Sequence, residues 1–67
     1  MTTTPMYDLP ADRIRLLRDL RPDIPFRDVW MIGAHDGCWR RFWADAAAGV
    51  PARKAANLAA NIPKNER

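Results

Sequence analysis

An all-α protein, folded as a compact bundle of three to four short helices, is what this 67-residue chain predicts, on three observations. Apolar side chains recur at three- and four-residue spacing in separate segments, the period of an amphipathic helix. Prolines and glycines fall between those segments rather than inside them, where they start and stop helices. Eleven alanines, concentrated from Ala44 to Ala60, supply the residue of highest helix propensity.

The elements follow in order along one domain, residues 1–67. Residues 1–8 have the polar composition of a flexible N-terminal arm. Pro10 opens a first helix that runs to Leu20 and is stopped by Pro22. Ile14, Leu16, Leu17 and Leu20 lie broadly on one side of it, with Arg13, Arg15, Arg18 and Asp19 elsewhere. Asp23 is placed to cap a second helix, with Pro25 in the first turn and Gly33 as the C-cap. Its run Val29-Trp30-Met31-Ile32 also fits a buried strand, which would make the unit a winged-helix variant.

Residues 33–37 read as a turn, with Asp36 as N-cap of a third helix from Cys38 to Ala48. Trp39, Phe42, Trp43 and Ala46 stand at i, i+3, i+4 and i+7, so three large rings share a face. That face is expected to pack on Ile14, Leu17, Leu20 and Ile32. Gly49 ends the third helix, Pro51 starts a fourth and Pro63 ends it, leaving 64–67 as a short tail. On the fourth helix Arg53, Lys54, Asn57 and Asn61 fall within an arc of about 100°. Ala55, Leu58, Ala59 and Ile62 form the opposite, apolar side.

Composition narrows the function. So short a chain buries only about 60% of its unfolded surface, which leaves little material for an enzyme cleft and its supporting shell. The net charge of +3 is uneven. Residues 1–37 carry five arginines against six aspartates, whereas residues 38–67 carry six basic against two acidic residues. A basic half points to an acidic partner, with nucleic acid foremost. One cysteine excludes an internal disulfide, the first residues have no signal-peptide pattern, and no run approaches the ~20 apolar residues of a membrane span. These features set the expectation of a cytoplasmic protein with no membrane association.

Residues 25–44 carry a further pattern. Val29, Ile32, Gly33, Ala34, Trp39 and Phe42 fill the slots of two helices crossing through a glycine turn. In this the segment resembles the helix-turn-helix DNA-binding superfamily, although Val29 and Trp39 are larger than the residues usual in their slots. The resemblance implies that the third helix enters the major groove of double-stranded DNA, with Arg40 and Arg41 among its outward residues. A second register uses Gly49 as the turn, with Ala48 and Val50 beside it and Ala55 and Leu58 as the buried pair. The fourth helix is then the reader, through Arg53, Lys54, Asn57 and Asn61, while Asp45 occupies a slot that favours a small apolar residue. A homodimer is the expected DNA-bound form, because one small reader spans too few base pairs for specificity.

Other chemistries have less to stand on. His35, Asp36 and Cys38 are close, but with one histidine and one cysteine the chain cannot supply the four N/S ligands of a structural zinc site. No serine, no nucleophile–base pair and no phosphate loop occurs, so no catalytic residue and no cofactor is expected. The rival to DNA binding is a protein-interaction module, an adaptor or inhibitor docking through an exposed aromatic face.

Overall fold

A computed structural model describes residues 7–67, and the arm assigned to residues 1–8 falls mostly outside them. Four helices follow one another: α1 (Pro10–Leu20), α2 (Phe26–Ala34), α3 (Asp36–Ala47) and α4 (Ala52–Ala60). A 3-10 turn, Lys64–Glu66, closes the chain. No strand occurs among the described residues, and the Val29–Ile32 segment that would have made a winged helix is helical. No helix among them is long and apolar enough to cross a membrane. α2 is the central element, packing on α1, α3 and α4.

The core is built from Leu17, Ile24, Val29, Ile32, Cys38, Trp39 and Phe42, with Ala55, Ala56 and Ala59 contributed by α4. Trp39 and Phe42 are buried as their spacing predicts, and Trp43 is half-buried. Trp43 meets both rings edge-on, with centroids 5.5 Å from Trp39 and 5.0 Å from Phe42, the arrangement aromatic quadrupoles favour. Leu20 departs from expectation: it is 55% exposed, because the buried stripe of α1 runs through Arg13 and Leu17 instead.

Arg13 explains that shift. Its guanidinium reaches between three segments, donating through Nε to the Tyr7 carbonyl at 2.6 Å and through Nη1 to the Gly33 carbonyl at 3.5 Å. It pairs with Asp36 at 2.6 Å and lies 5.3 Å from the Trp39 ring centroid. The cation thus sits at the C-terminal end of α2 and the N-terminal end of α3, where both helix dipoles have their matching sign: the carbonyl end meets Arg13 directly, and Asp36 meets the amide end. An arginine expected on the solvated side is the polar centre of the α1–α2–α3 junction.

The α2–α3 connection is shorter than the five-residue turn expected. Gly33 and Ala34 are still helical and His35 alone separates the two helices. Gly33 is not a left-handed C-cap; it is required by proximity, since a Cβ there would stand 2.7 Å from Ile14 Cγ1. Nor do the two aspartates cap: Asp23 bonds Arg21, and Asp36 lies inside α3 holding Arg13. Burial pushes the Cys38 thiol above its ordinary pKa, so it behaves as a small apolar core residue.

Candidate nucleic-acid interface

The α3–α4 connection supplies the positive-φ glycine that Gly33 does not. Gly49 has φ +92°, and the Val50 amide donates to the Asp45 carbonyl while the Gly49 amide donates to Ala46. This is the Schellman closure of a helix, with the apolar Val50 just beyond it. Pro51, at the N-cap of α4, has its carbonyl accept from the Ala55 amide at 2.8 Å.

α4 then docks through its smallest side chains. Ala55, Ala56, Ala59 and Ala60 are buried. Alanines at both i, i+4 pairs rotate the helix relative to the sequence expectation, and Leu58 turns outward to 40% exposure instead of joining the core. The face left to solvent holds Arg53, Lys54, Asn57, Leu58 and Asn61, and no acidic residue lies on α4. Among the described residues Arg53, Lys54 and Asn57 make no ion pair or side-chain hydrogen bond. The Asn61 amide donates back to the Asn57 carbonyl at 2.6 Å, which leaves its carbonyl oxygen available as an acceptor.

Arg53, Lys54 and Asn57 also line a shallow depression with Pro51 and, from the start of α2, Pro25 and Asp28. Asp28 tempers the positive potential there. Asp23 lies within reach of the Arg53 field, although its carboxyl is held below the ordinary value chiefly by its hydrogen bond to Arg21. Sequence spacing located the α4 residues; the contribution of Pro25 and Asp28 depends on α2–α4 packing and had no local signal.

α4 also carries an electrostatic conflict. Arg53 and Lys54 occupy its first turn, no side chain caps that end, and no acidic residue is present there. Cations at the amide end of a helix oppose the macrodipole by about 0.3–1 kcal/mol each at low ionic strength, whereas an anion there is favoured.

Arg40 and Arg41 are exposed on α3 but do not line this depression. Arg41 is engaged with Asp45 one turn away at 2.9 Å, and the same ion pair accommodates Asp45 half-buried in the second register. Arg40 has no partner among the described residues. The first turn of α3 is occupied: Asp36 holds Arg13, and the backbone of Glu66 and Arg67 lies against Gly37 where a Cβ would project. The end of the segment expected as a short tail therefore folds back over the end of α3 that the first register would aim at bases.

Compared with protein-family models, curated proteins and solved structures, the chain matches none. What the fold defines is the class alone, a small all-α bundle with no strand among the described residues.

Proposed function

We propose that this chain is a non-enzymatic DNA-binding protein, a small regulator of transcription or recombination acting in the cytoplasm, and that α4 is its reader. The observation that carries the reading is the unpaired set Arg53, Lys54 and Asn57 on the outer face of α4, behind a glycine turn with left-handed geometry. Two cations set against the helix dipole gain a partner when a DNA phosphate meets the uncapped amides of that turn. Asn57 is placed one turn further, with an amide able to pair with the N6/N7 edge of adenine. Arg40 on α3 is a secondary phosphate contact, Arg41 contributes after releasing Asp45, and Asn61 extends the α4 face. A homodimer doubles the base pairs read.

The test is a titration of generic duplex DNA at several salt concentrations. Arg53→Ala with Lys54→Ala should weaken binding to all sequences and flatten the log–log salt slope by about one per cation removed. Asn57→Ala should leave that slope unchanged and cost about 1–3 kcal/mol of discrimination at one base pair. If the parent shows no salt-dependent affinity, DNA is not the ligand. If Arg40→Ala lowers the slope and the α4 pair does not, α3 is the reader.

A further inference from the structure

Trp39 and Phe42 lie in the core, as their spacing predicts, yet two other aromatics are outside it. Phe26 and Trp30 stand one turn apart on α2, 59% and 49% exposed. Phe26 forms one wall of a groove whose other wall is α1, through Ala11, Ile14, Arg15, Arg18 and Asp19. The Arg18 guanidinium lies 5.7 Å from the Phe26 ring centroid, leaving that face of the ring cationic. Arg15 is exposed without an ion pair among the described residues, so two arginines, Arg15 and Arg18, line the groove against Asp19 as its acidic residue.

We infer that this α1–α2 groove is a docking site for an acidic amphipathic helix of a partner protein, which lays an apolar stripe over Phe26 and Trp30 and its carboxylates against Arg15 and Arg18. The shape fits: α2 has nine residues, about 13 Å, which matches two to three turns of a second helix with anchors at i, i+3/i+4 and i+7. Charge selects the occupant. A second copy of this chain meeting the groove by two-fold symmetry would bring one arginine rim against the other, whereas a stripe edged by glutamates pairs with it. The groove is independent of the proposed DNA face. α2 turns Phe26 to the α1 groove, with Trp30 one turn further on the same side, and Asp28 to the opposite flank, beside α4.

The experiment uses the full chain and a labelled helical peptide of about 15 residues, with leucines at i, i+3, i+4 and i+7 and glutamates elsewhere, followed by fluorescence anisotropy. Its counterpart carries lysine for every glutamate. Saturable binding of the acidic peptide is expected, with the lysine peptide at least about tenfold weaker. Phe26→Ala with Trp30→Ala should weaken binding at least about tenfold at unchanged helicity. Arg15→Glu with Arg18→Glu, changes confined to the surface, should invert the preference between the two peptides. Three results overturn the inference: no peptide binding; self-association that Trp30→Ala abolishes; or Phe26-dependent binding to phosphatidylserine vesicles with none to the acidic peptide. No DNA is present, so failure here leaves the DNA reading untouched.

Discussion

The α1–α2–α3 junction and the α4 seam hold the same small protein together by opposite means. At the junction, large side chains interlock around one buried cation: Trp39, Phe42, Leu17 and Ile32 fill the volume and Arg13 joins three backbone segments. At the seam, alanines bring α4 close to α2 and α3 with little side-chain volume. The difference is that bulk anchors a core, whereas smallness lets a helix dock while keeping an outer face that is polar except for Leu58. A helix held by leucines would have needed a wider apolar stripe, at the expense of the positions that Arg53, Lys54 and Asn57 occupy.

Removing bulk from the junction should have the largest effect. Trp39→Ala is expected to cost about 3–5 kcal/mol, from lost burial plus the cavity left behind, enough to unfold most of a domain of this size. A thermal melt like the parent's would show that the ring is not the centre of the core. Adding bulk to the seam is the mirror experiment. Ala59→Leu should cost about 1–3 kcal/mol by overpacking, because Ala59 has no exposed surface into which a larger side chain can expand. A neutral or stabilising Leu at this position, read by urea denaturation, would mean that α4 is loosely seated and that the two regions do not differ as described.

The smallest effect has the opposite sign. Lys54→Glu replaces a cation with an anion at the uncapped amide end of α4 and should stabilise the fold by about 0.3–1 kcal/mol at low salt. The same change should abolish the phosphate contact proposed for that turn. Loss of stability in Lys54→Glu, measured alongside the parent at low and high salt, would remove the dipole conflict from the case for α4.

Much of the secondary structure was legible because it depends on neighbours in sequence. The prolines at 10, 25 and 51 fall at helix starts, and Gly49 ends α3. The ring spacing of α3 gave two buried aromatics and a half-buried third. The polar arc of α4 was equally legible, since 100° per residue fixes which side chains share a face. What misled was any residue whose role is set by a distant partner. Gly33 had the residue type of a C-cap but serves the approach of Ile14, nineteen positions earlier. Arg13 had the character of a surface residue but is buried by Tyr7, Gly33 and Asp36 together.

The sequence by itself determined a helical class and the approximate bounds of its helices, with Val29–Ile32 left between helix and strand, the burial of Trp39 and Phe42, and the polar face of α4. Each of these follows from backbone propensity and helical period, which act over a few residues. Only the tertiary structure decided that Leu20 and Leu58 face outward, that Phe26 and Trp30 are the aromatics of the helices most open to solvent, that Val29–Ile32 is helical, and that Glu66 and Arg67 cover the start of α3. The physical reason is that a helix's apolar stripe is wider than the area its neighbours can cover. Which part of the stripe is buried depends on how closely the partner helix approaches, and Gly33 and the α4 alanines set that approach.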